Sequence, residues 1–586
     1  MRFLLVAVNS KYIHTNPAVY SLRAYAQAAG LPEGAEVVVK QYTINEPVGG
    51  ILQDIYREKP DFIGFSCYIW NISTIRQLTA DLCRILPDVP VWLGGPEVSW
   101  HPRKVLQQMP GIAGIMTGEG EEVFRRLIGT YCGNGSLDEI PGIVYRQNGQ
   151  VQAHKPADLL DFSSVPFPYE DLQEFDNKIV YYESSRGCPY RCSYCLSSID
   201  KKVRFRDLGL VYQELDFFLQ HKVKQVKFVD RTFNARPDRS LAIWQYLLEH
   251  DNGCTNFHFE ISADLLTEAE LALMAQMRPG LIQLEIGVQT TNPDTLEAIC
   301  RHASFEQIAA AVNRIKAMGT VHQHLDLIAG LPYEDYESFG RSFDQVYGLK
   351  PDQLQLGFLK VLHGSPMYEK AQEYGIVYGE YAPYEVLFTR WLSYEDVLRL
   401  KAVEEVVEIY YNSGQFQTAV ACLESCFSRP FALYEALGAF CQKETQGYQA
   451  HSRIRHYERL LAFAETIPGM DRPALICALV HDCYLRENCK SRPAFAPAEG
   501  IPGKEAARIF YQRESANPLY LKDYTEYNSK QMAHMTHLEN YPVNVFRLQQ
   551  GEVVYEPVTV LYDYARRDTF HHDGKAWLVR LEDADM

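Results

Sequence analysis

Ser184-Ser185-Arg186-Gly187-Cys188-Pro189-Tyr190-Arg191-Cys192-Ser193-Tyr194-Cys195 sets three cysteines in a C-x3-C-x2-C spacing on one short segment. Three thiolates on one loop can bind three irons of a cubane iron–sulfur cluster, leaving the fourth without a protein ligand. An open iron lets a small molecule chelate the metal and receive an electron. Zinc is the alternative occupant, but a structural zinc site takes four ligands, and no nearby Cys or His completes that set. Gly187 and Pro189 suit a tight loop, and Tyr194 is placed to cover the cluster. The apolar residues 179–184 just before the triad read as a strand.

Five more strand-like stretches follow, at residues 225–230, 256–262, 281–288, 322–329 and 353–361, most succeeded by a helical stretch. Over residues 175–375 this predicts a (β/α)6 partial TIM barrel, whose working groups belong at the carboxyl ends of its strands. Those ends carry Asp230 and Asn234 in Phe228-Val229-Asp230-Arg231-Thr232-Phe233-Asn234, and Glu260 in Phe259-Glu260-Ile261-Ser262. They also carry Glu285 and Gln289 in Leu284-Glu285-Ile286-Gly287-Val288-Gln289, Asp326 before Gly330-Leu331-Pro332, and Leu362. Any one of them alone reads equally well as a polar residue satisfied inside a barrel.

Residues 1–136 alternate apolar runs (3–8, 35–43, 61–69, 89–95 and 111–118) with helix-like stretches. Continuous rather than alternating apolar strands predict a doubly wound parallel α/β sheet of Rossmann type, covered on both faces. Ligands of such a sheet sit at the carboxyl ends of its strands. There lie Ser10, Lys11, Ser66, Gly94, Gly95, Pro96, Gly118 and Glu119. Residues 137–174 read as a small hairpin, turning at Asn148-Gly149, and a linker. Residues 376–586 form a mostly helical extension, with helices at 393–412, 415–443, 453–466 and 472–485 and strands near the end at 552–564 and 575–581.

Hydrophobic residues make up 47% of the 586 and the net charge is −17, so a polyanion would be repelled and nucleic acid is not the expected partner. The mildly basic Lys201-Lys202-Val203-Arg204-Phe205-Arg206 reads as surface or a substrate contact. No apolar run approaches the ~20 residues of a membrane span, and the apolar start reads as a buried strand rather than a signal peptide. Fourteen cysteines, mostly scattered, suit a reducing cytoplasm.

The triad and the ordered barrel segments resemble the radical S-adenosylmethionine (SAM) superfamily. The resemblance implies a [4Fe-4S] cluster on Cys188, Cys192 and Cys195, SAM chelating the open iron, and a 5′-deoxyadenosyl radical that abstracts hydrogen. It places Tyr194, Asp230, Asn234, Glu260, Glu285, Gln289, Asp326 and Leu362 at SAM, and it requires a reductant such as flavodoxin or ferredoxin. The first domain resembles the cobalamin-binding domain that precedes the barrel in many of these proteins. That implies cobalamin against Ser10, Lys11, His14, Ser66, Gly94, Gly95, Pro96, Gly118 and Glu119. The D-x-H-x-x-G signature that supplies a cobalt ligand elsewhere is absent; His14 is the available histidine, without its flanking Asp and Gly.

Relatives methylate unactivated carbon or phosphorus, while the same architecture hosts cyclisation and rearrangement. A methylthiotransferase would carry a second cysteine triad in the first domain, where Cys67, Cys83 and Cys132 stand apart. The acidic residues 581–586 do not suit its RNA-binding end either. A non-catalytic cobalamin or redox sensor is opposed by the intact triad. The resemblance extends to the uncharacterised extension, to which it assigns no activity. Cys422, Cys426, Cys477, Cys483 and Cys489, with His481 among them, read as buried single thiols beside a histidine rather than as a second metal site.

Overall fold

The computed structural model describes all residues except 201, 445–452, 490, 569–571 and 582–586. Lys201 of the basic stretch and the acidic residues 582–586 therefore lie outside the described residues.

Seven strands build the first sheet: β1 (Arg2–Asn9), β2 (Glu36–Thr43), β3 (Phe62–Ser66), β4 (Val91–Gly94), β5 (Gly114–Met116), β6 (Ile143–Gln147) and β7 (Gln150–Ala153), in the order β2-β1-β3-β4-β5-β6-β7. The first five are parallel. Alternate residues of β1 enter two separate cores. Phe3, Leu5 and Ala7 pack towards helices Pro17–Ala28 and Glu121–Tyr131, and Leu4, Val6 and Val8 towards helices Val48–Arg57 and Ile72–Ile85. This two-sided burial is why the strand is continuously apolar. The hairpin β6–β7, expected to belong with a linker, instead adds two antiparallel strands to this sheet.

Six parallel strands form the second sheet: β8 (Val180–Tyr182), β9 (Gln225–Phe228), β10 (Asn256–Ile261), β11 (Ile282–Gln289), β12 (His322–Ala329) and β13 (Gln353–Phe358). They pair in chain order, and the sheet stays open between β8 and β13. Here burial alternates. Ile282, Leu284, Ile286 and Val288 of β11 are buried, whereas Gln283, Glu285, Gly287 and Gln289 are half-buried on the other face. The barrel thus has an apolar outside under its helices and a polar lumen.

After β13 the chain folds back against the barrel. Val361 N–H donates to Tyr384 O at 3.0 Å and Val386 N–H to Leu359 O at 2.8 Å, so residues 384–386 cover the sixth strand's continuation. The helix expected over 415–443 is two, Gln417–Glu424 and Pro430–Glu444, the second opened by Pro430. Helices Tyr394–Val407, Arg453–Ala464 and Arg472–Arg486 follow expectation. The terminal sheet has three antiparallel strands, β14 (Thr536–Tyr541), β15 (Val558–Asp563) and β16 (Lys575–Val579). β14 was not foreseen, because its sequence THLENY buries the charged Glu539 and so lacks an apolar run. No helix of the described residues is long and apolar enough to cross a membrane.

Candidate active site

The cysteine loop springs from the carboxyl end of β8 and is fastened along its length. Gly187 sits at φ +95°, where a Cβ would meet Lys202 O at 2.6 Å, so only glycine turns the chain here. Ser193 donates its N–H to Ile299 O at 2.9 Å and accepts from Met367 N–H at 2.8 Å. Cys188 and Cys192 are buried, Cys195 is half-buried, and none is in a disulfide. Among the described residues no three His, Cys, Asp or Glu side chains converge as a single metal ion requires. A cubane needs no such convergence, since each thiolate takes a different iron, and the donor set therefore fits a [4Fe-4S] cluster.

Thr232 Oγ1 lies 3.5 Å from Cys188 Sγ, and Arg301 Nη1 donates to Cys192 Sγ at 3.7 Å. Arg301 also donates through Nη2 to Gly287 O, fixing the guanidinium between cluster loop and β11. Tyr194 packs into the apolar cluster of Leu331, Leu359 and Val361, beside the triad.

The expected SAM contacts divide. Asp230 is wholly buried and its carboxylate accepts from Ser184 N–H at 2.8 Å, Ser184 Oγ at 2.7 Å and Ser185 Oγ at 2.5 Å. Asn234 donates to Ser262 O at 2.8 Å and accepts from Ser262 N–H at 3.0 Å. Asp230 is thus engaged by one backbone N–H and two serine hydroxyls, and Asn234 by the Ser262 backbone, so that both brace the strand ends. Glu285 lies deeper, bound by Lys227 Nζ at 2.9 Å, with His258 Nε2 at 3.0 Å. Burial pushes its carboxyl up, but His258 and Lys227 outweigh that and hold it well below the usual range. Leu362 offers little, because Ser365 takes its carbonyl oxygen through N–H and Oγ.

Gln289, Glu260 and Asp326 remain open to a ligand. Gln289 holds φ +72°, and its Oε1 is buried without a hydrogen-bond partner. Asp326 Oδ1 is also unpartnered: His324 Nε2 is 3.2 Å away but not aligned for a hydrogen bond. Burial raises Asp326 well above the carboxylate range, reinforced by the charges of Glu285 and Glu260. Burial likewise pushes Glu260 up to about 7.

A cavity of about 1160 Å³ separates the carboxyl ends of the first sheet from the barrel mouth. Ser10, His14, Ser66, Gly94, Gly95, Pro96, Gly118 and Glu119 line it, together with Tyr181, Glu183, Arg231 and Leu196-Ser197 beside the triad. Lys11 is exposed and is not on its wall. Gly95 has φ +106°, and a Cβ there would meet Cys67 O at 2.6 Å; at Gly118 a Cβ would meet nothing within 4 Å. Backbone can thus approach a large ring, and the space fits cobalamin. Some wall groups are already engaged. Glu119 binds Arg204 at 2.7 Å and Arg186 at 3.1 Å, Ser66 Oγ accepts from Asn16 Nδ2 at 3.0 Å, and His14 Nδ1 is 2.7 Å from Tyr181 Oη. Sequence reasoning missed Trp70 and Tyr68, whose rings stack at 4.4 Å on the same wall, and Arg231. Position after a strand end was their only signal.

In the extension, Cys422, Cys477 and Cys483 are buried, Cys489 is half-buried and Cys426 is exposed.

Residues 4–128 match the B12 binding domain, residues 182–346 the radical SAM superfamily, and residues 372–562 a protein of unknown function (DUF4080). An uncharacterised methyltransferase of Pyrococcus horikoshii is 25% identical over 334 residues, covering 55% of this chain and 71% of its own. The cobalamin-dependent radical SAM methyltransferase TokK of Streptomyces tokunonensis is 26% identical over 61% of this chain and 55% of its own. An anaerobic magnesium-protoporphyrin IX monomethyl ester cyclase of Synechocystis is 25% identical over 52% and 62%. Among solved structures, the cobalamin-dependent SAM radical enzyme OxsB superposes with a TM-score of 0.59 at 16% identity, over 82% of this chain and 78% of its own. The radical SAM methyltransferase TsrM from Kitasatospora setae gives 0.55 at 17%, over 65% and 80%. At such identities the structural likeness carries the fold.

Proposed function

We propose that this chain, which joins a B12 binding domain to a radical SAM domain and a DUF4080 region, methylates an unactivated centre of its substrate. Bound together, cluster, SAM and cobalamin supply a hydrogen-abstracting radical and a carried methyl group. The protein's part is to hold, orient and exclude water. Cys188, Cys192 and Cys195 hold the cluster, and Arg301 and Thr232 brace its sulfurs. Gln289, Glu260 and Asp326 offer polar atoms to SAM. Ser10, Gly94, Gly95, Pro96 and Gly118 give cobalamin a wall that backbone can approach. The observation that carries the reading is the single cavity running from the strand ends of the first sheet to Leu196-Ser197 beside the cysteine triad. Two bound groups would there face each other across the reacting centre, as proximity catalysis demands. Electrons would come from a flavodoxin- or ferredoxin-like donor, and thiols without disulfides among the described residues suit a reducing cytoplasm.

The test is anaerobic reconstitution with iron, sulfide and hydroxocobalamin, then SAM and a strong reductant, with SAM products read by mass spectrometry. S-adenosylhomocysteine together with 5′-deoxyadenosine supports methylation. 5′-Deoxyadenosine alone favours cyclisation or rearrangement, the reading that the cyclase relative supports. Neither product defeats the radical SAM reading.

A further inference from the structure

Three arginines line the cavity between the first sheet and the barrel mouth. Arg186 is spent on Glu119, Glu121 and Glu183, at 3.1, 2.6 and 3.0 Å. Arg206 is spent on Glu214 at 2.5 Å and on the carbonyls of Phe162 and Val165. Arg231 differs: its side chain is exposed to the cavity, and among the described residues its guanidinium has neither ion pair nor hydrogen bond. The acids nearest in charge do not take it up. Glu183 is held by Arg186, and Glu260 forms no ion pair among the described residues.

A guanidinium inside a protein cavity is ordinarily paired, because its fork of donors matches carboxylate and phosphoryl oxygens two at a time. The backbone around Arg231 is also immobilised. Asp230 before it is fixed by three hydrogen bonds to Ser184 and Ser185, and Thr232 after it rests against Cys188. A rigidly mounted cation that feels Glu260, Cys195 and Glu183 at a distance, but has no hydrogen-bonded partner among the described residues, has the form of a preorganised anion subsite.

We propose that Arg231 is an oxyanion anchor: the ligand entering this cavity presents a carboxylate or phosphoryl group to it. The inference rests on the proposed function and narrows its ligand chemistry. Two sources share that chemistry, the carboxylate of SAM and an acidic group on the substrate to be modified.

The test is phenylglyoxal labelling of the cluster- and cobalamin-loaded protein, with the rate at Arg231 followed by peptide mass spectrometry. The probes are SAM alone and inorganic phosphate alone. An anchored oxyanion should slow labelling at Arg231 about tenfold at saturation, as a charge-assisted pair implies. Protection by SAM identifies its carboxylate as the source; protection by phosphate but not by SAM identifies a substrate-side oxyanion. Equal rates with and without both probes, or an Arg231 that does not react at all, overturn the proposal. SAM cleavage measured in the same preparation separates the two failures, since its loss would strike at the proposed function whatever happens at Arg231.

Discussion

Arg301, in the segment after helix Pro293–Ala298, bridges Gly287 of β11 and Cys192 of the cluster loop, and its position decides what it does. A cationic N–H donor on a cluster sulfur favours the reduced cluster, because it offsets the added negative charge. Arg301→Met should therefore lower the cluster's reduction potential on the order of tens of millivolts, read by redox titration of its electron paramagnetic resonance signal; an unmoved potential would count against this role. Cys192→Ala removes an iron ligand outright and should abolish 5′-deoxyadenosine formation and lower the bound iron after reconstitution. Glu260 is a pH-sensitive element of the lumen. Burial pushes its carboxyl up to about 7 from 4.5, so the native state binds the proton more tightly than the unfolded chain. That stability is present below the unfolded value and is lost as pH rises through about 7. Glu260→Gln should flatten the fall, gaining on the order of 2 kcal/mol above it. Parallel pH–stability curves for variant and wild type would refute the assignment.

Helix Gln417–Glu424 begins without a cap of its own, since Phe416 has no side-chain oxygen to offer. The cap comes from another helix. Asp482, wholly buried in Arg472–Arg486, accepts Thr418 N–H at 3.1 Å and Ala419 N–H at 2.8 Å. The start signal of helix Gln417–Glu424 thus lies more than sixty residues downstream, whereas the helix that follows it is opened locally by Pro430. Asp482→Ala should cost about 1–2 kcal/mol in thermal or denaturant unfolding, with Asp482→Asn milder because it keeps one acceptor. Equal stability of all three proteins would show that the cap is supplied otherwise. The barrel strands were easier to read, because their apolar outer faces survive as runs even though the inner faces are polar.

Arg186 ties the architecture together. It stands on the cysteine loop, yet two of its three carboxylate partners, Glu119 and Glu121, belong to the first domain. Its guanidinium also lies 4.6 Å from the ring centre of Phe162 in the connecting segment. Arg186→Met strands these carboxylates in a half-buried setting, so the loss should approach the 3–5 kcal/mol typical of a broken buried pair. It should appear as a lower unfolding temperature, faster proteolysis of the 137–174 connection and reduced cobalamin retention. A variant that keeps all three at wild-type levels would show that the domains dock without this network.

The sequence by itself determined the cysteine triad, the open barrel that presents it and the parallel sheet preceding it. Those features are written in local spacing and in apolar runs, which short-range sterics and burial impose on each segment. It also named part of the cavity wall, since loops after parallel strands necessarily gather on one edge. Only the tertiary structure decided which polar residues are spent and which are open. Nothing in the linear pattern showed that Ser184, Ser185 and Ser262 would hydrogen-bond Asp230 and Asn234. Arg231 looks like a neighbour of theirs until it is seen without a partner. The pairing of a buried polar group depends on atoms brought from distant segments, and a linear pattern carries no record of that distance.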